Sequence, residues 1–183
     1  MDSKGTTSRF KAALLRPAKP AKGEDWLFVM VPKSASEKLP RRGRTTVEGT
    51  INSHSFQVTL EPDGQLSHWL KVDKPLLTAT GAGPGDTATF EITAAEHEPE
   101  PELPADLQVA LAASPEASAV WHETTTIARL DWIHWIVSAK QAKTRAKRIS
   151  DACDMLASGK RRVCCFDPSG FYSKALRAPE ALD

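Results

Sequence analysis

Very little in this chain announces a reaction. It has only three cysteines, Cys153, Cys164 and Cys165. The number is odd and the last two are adjacent, so neither a disulfide framework nor C-x-x-C spacing is present. The expectation is three reduced thiols in a reducing compartment. No apolar run approaches the roughly 20 residues that span a membrane; the longest is Trp26 to Val31. No hydrophobic leader follows Met1-Asp2-Ser3-Lys4-Gly5, which points to the cytoplasm. Net charge is +1, so bulk charge does not make the molecule a polyanion binder, and any steering must come from local patches. The five histidines show no H-x-x-x-H or H-E-x-x-H spacing, and neither a metal site nor a cofactor is expected. Gly81-Ala82-Gly83-Pro84-Gly85-Asp86 lacks the Lys-Ser/Thr pair of a phosphate-binding loop and precedes a strand, so it reads as a turn.

What is present suffices for a core. The apolar fraction is 40%, with thirteen prolines and ten glycines, enough for one domain or two small ones rich in turns. Phe10, Ala12 and Leu14 alternate with charged or small residues, a first strand. Trp26 to Val31 is a continuous apolar run ended by Pro32, the form of a strand buried on both faces. Val47, Gly49 and Ile51 share one face of the run from Arg44 to Ile51. Asn52-Ser53 follows, and then His54, Phe56, Val58 and Leu60 alternate with polar residues. Two such runs joined by two residues predict a hairpin, and a type I′ turn there asks Ser53 for a positive φ that glycine adopts more readily. Pro62-Asp63-Gly64 is the next turn, and Leu66 to Val72 the next strand. Lys74 to Thr80 has room for one helical turn, and Ala88, Phe90 and Ile92 mark a last strand. About six short strands at this spacing predict a small barrel or sandwich.

Glu96-His97-Glu98-Pro99-Glu100-Pro101-Glu102 breaks the alternation with a solvated, extended linker. Helical spacing follows. Pro104 starts a helix carrying Leu107, Ala110 and Leu111; Ser114 is an N-cap ahead of Pro115; a third helix begins near Thr125. In that helix Ile127, Leu130, Ile133 and Val137 form one stripe, while Trp132, Trp135 and Ile136 lie on other faces, which predicts a helix sandwiched inside the fold. The next helix has Ala142, Ala146, Ile149, Cys153 and Leu156 as its core-facing seam and Gly159 just past its end. Val163 to Phe166, with Phe171 and Tyr172, is apolar enough to dock back. The fold class is therefore α+β: a β-rich domain over residues 8–95, an acidic Pro-rich linker over 96–103, a helical domain of three to four helices over 104–160, and a tail over 161–183.

The most distinctive chemistry is the stretch from Ala139 to Ile149, with five positive charges and no acid. At about 100° per residue, Lys140, Lys143 and Lys147 lie on one flank of the seam, and Arg145 and Arg148 on the other. One reading is a clamp for phosphate or another anion. The other is a solvated face, with Lys147 partly neutralised by Asp151 and Asp154. Arg145 and Arg148 also have the reach to pin the helix to Glu or Asp of the barrel. Trp132 and Trp135 are candidates for a stacking platform, against the more ordinary use of large aromatics as core.

These residues carry a resemblance to a known family. Leu103 to Leu107, Trp132 to Ile136, Ala139-Lys140, Thr144-Arg145 and Arg148-Ile149 resemble the bacteriocin-protection, YdeI/OmpD-associated domain. Gly43, Val47 to Asn52 and Gly85-Asp86 resemble the domain of unknown function commonly fused to it. The chain has Ala142 where that family usually has proline and Ser53 where it usually has glycine. The missing proline leaves open one long bent helix in place of two. The resemblance implies a small split β-barrel followed by a helical appendage, and no established enzyme activity.

Two classes of function follow. The first is a non-catalytic binding or stress-protection module using a basic helical surface, its binding residues Lys140, Lys143, Arg145, Lys147, Arg148, Trp132 and Trp135. Its partner would be anionic, either an acidic protein or a nucleic acid bound without regard to sequence. The second is an enzyme with an unrecognised site between the barrel and the helices. For it, His122-Glu123 and His134 with Asp131 are the acid/base candidates, and no catalytic residue is assigned. Cys164-Cys165 near Lys160, Arg161 and Arg162 would have a lowered thiol pKa if exposed; buried, inert thiols are the simpler expectation.

Overall fold

A computed structural model describes residues 5–19, 25–163 and 177–182. They fall into two compact units, residues up to 97 together with 177–182, and residues from 98 to 163.

The first unit is a nearly closed antiparallel barrel. Its strands are β1 (Ser8–Ala13), β2 (Leu27–Met30), β3 (Thr45–Ile51), β4 (His54–Pro62), β5 (His68–Val72) and β6 (Thr87–Ala94). Their order is β1-β6-β3-β4-β5-β2. The two ends of that order meet where Leu15 and Phe28 exchange backbone hydrogen bonds of 2.8 and 2.9 Å. Period-two alternation sends Val47, Ile51, Leu60, Leu70, Phe90 and Ile92 inward. Leu27, Phe28 and Val29 are all buried, as a strand covered on both faces requires. Phe28 packs outside the barrel core against Trp69, edge to face at 6.2 Å.

Two close approaches set the register. Asn52 and Ser53 take φ of 46° and 72°, so Ser53 does adopt the conformation that a type I′ turn imposes. At Gly49 a Cβ would lie 1.7 Å from the Glu91 carbonyl oxygen, so β3 and β6 can approach only over a bare backbone. β5 starts two residues later than the alternation predicts. The Asp63 carboxylate accepts from the amides of Gln65 (2.7 Å) and Ser67 (2.9 Å) and keeps this stretch in a loop.

Two short helices interrupt the strands. α1 (Lys33–Ser36) follows Pro32, which ends β2 yet also starts the turn, a helix the sequence did not betray. α2 (Lys74–Thr80) runs two turns where one was expected, because Asp73 caps the Leu76 amide and Gly81 closes the end at φ 69°. Residues 177–182 return to this unit. Ala178 N–H bonds the Asp63 carbonyl at 3.2 Å, and Leu182 N–H bonds the Arg16 carbonyl at 2.7 Å. Cys164, Cys165, Phe166, Phe171 and Tyr172 lie outside the described residues.

The second unit has four helices, α3 (Ala105–Ala112), α4 (Pro115–Glu123), α5 (Thr126–Val137) and α6 (Ala142–Ala157). Ser114 and Thr125 cap α4 and α5 through their hydroxyls. Gly159 at φ 90° ends α6, with Lys160 N–H reaching back to the Met155 carbonyl at 3.0 Å. α5 and α6 are separate helices although no proline stands at 142. Two expected stripes are rotated. On α5 the buried face is Ala128, Trp132, Trp135 and Ile136, with Ile133 at its edge, and Val137 is exposed. On α6 the buried residues are Ile149, Ala152 and Leu156, while Ala142 and Ala146 face solvent. Alanine carries too little apolar area to choose a face, and the half-buried arginines take the turns that Ala142 and Ala146 were expected to fill.

Candidate functional site

The seven residues singled out around α5 and α6 divide by use. Trp132 and Trp135 belong to the core, at 0% and 5% exposed. Their rings meet edge to face at 6.2 Å, and Trp132 Nε1–H donates to the Arg161 carbonyl at 3.2 Å. Arg148 lies over the Trp135 ring at 5.5 Å and donates to the Trp135 carbonyl at 2.7 Å, which caps an open end of α5. Arg145 grips Asp106 of α3 with a two-pronged contact of 2.6 and 3.0 Å. Its guanidinium holds the Asp106 carboxyl below the usual range, and Asp106 in turn raises Arg145. Both arginines therefore stitch helices together.

The lysines behave differently. Lys140, Lys143 and Lys147 are exposed, and of their contacts the ion pair of Lys147 with Asp151, 2.6 Å and one helical turn away, is the clearest. Ala142 and Ala146 are exposed on α6 beside Lys143 and Lys147. The charge order also opposes the helix dipole. α6 has no acid in its first turn and no base in its last, while Asp151 and Asp154 lie in its C-terminal half.

Of the acid/base candidates, His122 and Glu123 take separate partners. His122 Nδ1 donates to the Ser118 carbonyl at 2.7 Å, and Glu123 pairs with Arg161 at 2.9 Å rather than with His122. His134 and Asp131 are half-buried on α5. His122 borders a pocket of about 350 Å³ with Trp121, Leu103 and the Arg129–Glu100 pair. Arg129 is bound there on several sides. It donates to Glu100 at 2.6 and 3.0 Å and makes a short contact to the Thr124 carbonyl, which fastens the acidic linker to α4 and α5. That bond holds the Glu100 carboxyl below its usual range. Burial, and then the Asp154 charge, push the Cys153 thiol up, away from the reactive thiolate. Among the described residues no group of three His, Cys, Asp or Glu side chains could hold a metal ion.

Sequence reasoning missed a second basic cluster in the barrel unit. Lys33, Lys38, Arg41, Arg42 and Arg44 lie within twelve residues, with Glu37 as the one acid. Lys33, Arg41 and Arg42 line a recess of about 350 Å³ with Glu37 and Leu66. Beneath it, Ser36 Oγ and His68 Nδ1 are 2.6 Å apart, and His68 Nε2 lies 2.9 Å from the Gly43 carbonyl. The carbonyl can only accept, so Nε2 carries a proton; in the neutral ring Nδ1 then accepts from the Ser36 hydroxyl. Arg44 is buried against Glu61 at 2.7 Å. The charge count of residues 33–44 was readable in advance. The Ser36–His68 contact, across 32 residues of chain, was not.

Fold and site together define a two-part protein, a small antiparallel barrel joined to a four-helix unit with a lysine-bearing surface. Residues 100–159 match the family described as bacteriocin-protection, YdeI or OmpD-associated. Residues 10–92 match a domain of unknown function, DUF1905. The helical unit is thus similar to the YdeI/OmpD-associated family, and the barrel unit to that domain of unknown function. No curated protein matches it. No helix among the described residues is long and apolar enough to cross a membrane.

Proposed function

We propose that the protein is a non-catalytic binding module whose helical unit meets an anionic partner through Lys140, Lys143 and Lys147. The observation that carries this reading is the charge order of α6. Lys143 lies in the first turn of α6 and Lys140 just before it, at the positive end of the helix dipole, where a cation costs roughly 0.3–1 kcal/mol, and Lys147 follows one turn on. A solubility role would be served as well by acids at that end. The lysines instead add to the dipole field, and an anion approaching there meets both. Arg145 and Arg148, busy within the unit, leave the lysines to do the binding. Without an element that reads base edges, recognition of a nucleic acid would be indifferent to sequence. The same reading places the protein in the reducing cytoplasm, in keeping with Cys153 as a free thiol.

The experiment replaces Lys140, Lys143 and Lys147 together with Gln and measures thermal stability and retention on heparin and duplex DNA at several salt concentrations. Stability should stay within about 1 kcal/mol, since relief at the dipole offsets the missing exposed Lys147–Asp151 pair. Retention should fall, and the salt dependence should flatten by about 0.9 in the log–log slope for each DNA phosphate no longer neutralised. Unchanged retention at unchanged stability would leave only the solubility role.

One observation favours a catalytic reading instead. Ser36 and His68 have the form of a nucleophile and its base, although they are only 5% and 1% exposed. A fluorophosphonate probe that labels Ser36 in the wild type but not in His68→Gln would establish it. No labelling in the native protein would leave His68 as a structural tie.

A further inference from the structure

Lys33 and Arg41 are eight residues apart in the chain, yet with Arg42 they face one recess in the barrel unit. Three cations line it against one carboxylate, Glu37. Its volume, about 350 Å³, lies in the lower part of the range for small-molecule sites. An extended polyanion needs a groove; this recess suits a compact ligand.

The loop that carries the arginines is held at both ends. His68 of β5 ties Ser36 at 2.6 Å on the helix side and Gly43 at 2.9 Å on the far side. Arg44, the next residue, is anchored to Glu61. Ser67 Oγ bonds the Val31 carbonyl at 2.9 Å beneath α1. The loop from 36 to 44 is thus anchored at both ends before any ligand arrives, which lowers the ordering cost of binding.

Leu66 supplies an independent sign. It lines the recess, is 67% exposed and has φ of 67°. A left-handed conformation disfavours any residue with a Cβ, and glycine would hold the same turn without strain. A strained, exposed leucine at the edge of a cationic recess is an outlier of the kind found at ligand sites. With Leu39 and Pro40 it forms an apolar border beside the cations.

From these features we infer that the recess binds a phosphate monoester with a small apolar body. The Arg42 guanidinium offers a planar fork that matches phosphate oxygens, and Lys33 and Arg41 add positive charge. The apolar body rests on Leu66. The inference stands apart from the reading of α6, because it concerns other residues and another ligand class.

The test titrates the full chain with phenyl phosphate, followed by amide chemical shifts and calorimetry at low salt. Saturable shifts are expected at residues 33–44 and 66. Inorganic phosphate should bind several-fold more weakly, and so should benzoate. The double variant Arg41→Gln/Arg42→Gln should lose at least tenfold in affinity. Leu66→Gly should weaken phenyl phosphate and leave inorganic phosphate unchanged. All three residues are exposed, so melting temperatures should stay near the wild-type value. An absence of saturation, shifts scattered over surface lysines, or full affinity in the double variant would overturn the site. Equal affinity for benzoate would overturn the phosphate assignment, and equal affinity for inorganic phosphate the apolar contact.

Discussion

The two units of this protein solve the same problem with opposite materials. The barrel hides polar groups. His68, Arg44, Thr45, Thr46 and Ser67 are all buried, and they bond to barrel strands, to α1 and to the loops between. The helical unit fastens its segments with arginine–carboxylate pairs whose acids are exposed. Arg129 holds Glu100, Arg145 holds Asp106 and Arg161 holds Glu123, joining segments that short helices cannot pack together by area alone. A barrel is closed by its ladder, so its demands are steric and local to the register. A bundle of short helices has no ladder between its members, and arginines supply fixed distances in its place. The lesson concerns how a charge is read. In the helical unit a run of cations contains both fasteners and free surface, and only the geometry separates them.

The sharpest way to break this contrast is Gly49→Ala. The new Cβ would fall on the Glu91 carbonyl, and the barrel should lose more than about 4 kcal/mol, in the range reserved for steric failure. Chemical denaturation, or loss of soluble protein, reads it. Gly43→Ala is the control, since nothing lies within 4 Å of its Cβ. Its stability should be unchanged to within about 0.5 kcal/mol. Equal effects at the two glycines would mean that the barrel does not depend on that approach.

A smaller effect is expected from Arg129→Met. It removes the charged bonds to Glu100 and leaves the Thr124 carbonyl without this donor. About 2–3 kcal/mol should go, with faster amide exchange around α4 and α5 and unchanged protection in β3 and β6. Loss of protection in the strands as well would contradict the local role assigned to the arginine.

The smallest effect is that of acid. Glu100 and Asp106 both have carboxyl pKa values lowered in the folded chain by arginine partners. A lowered folded pKa gives stability that is present above the unfolded value and lost as pH falls through the folded one. The helical unit should therefore begin to weaken below about pH 4.5. Both carboxylates are largely exposed, so the change should be under about 1 kcal/mol. Arg145→Gln should flatten the acid limb of a stability–pH curve; an unaltered limb would show that Asp106 gains nothing from its partner.

The sequence was most legible where the backbone repeats. The hairpin of β3 and β4 could be placed from Val47, Ile51, Phe56 and Leu60, and the turn residues Asn52-Ser53 sit where the alternation requires. Capping residues located the starts of α4 and α5 to within a residue. Faces were less legible than periods. Ala142 and Ala146 fit a seam as well as they fit solvent, and the tryptophans that define the buried side of α5 were assigned to its other faces. The candidate site was legible as composition only. The count of cations at 140–148 could not tell Arg145, spent on Asp106, from Lys143, left in solvent. The recess in the barrel depends on Ser36, Gly43 and His68, residues that no local pattern brings together.

The return of residues 177–182 to the barrel has a consequence for connectivity. The helical unit is an insertion within the barrel's own sequence, and it is attached to barrel segments on both sides. During synthesis the barrel would gain its last segment only after every helix had emerged. A protease that cut once between residues 98 and 103 would not release the helices as a free fragment. The C-terminal piece would still carry the segment that bonds Asp63 and Arg16, and the two pieces should run together on a native gel and separate only when denatured.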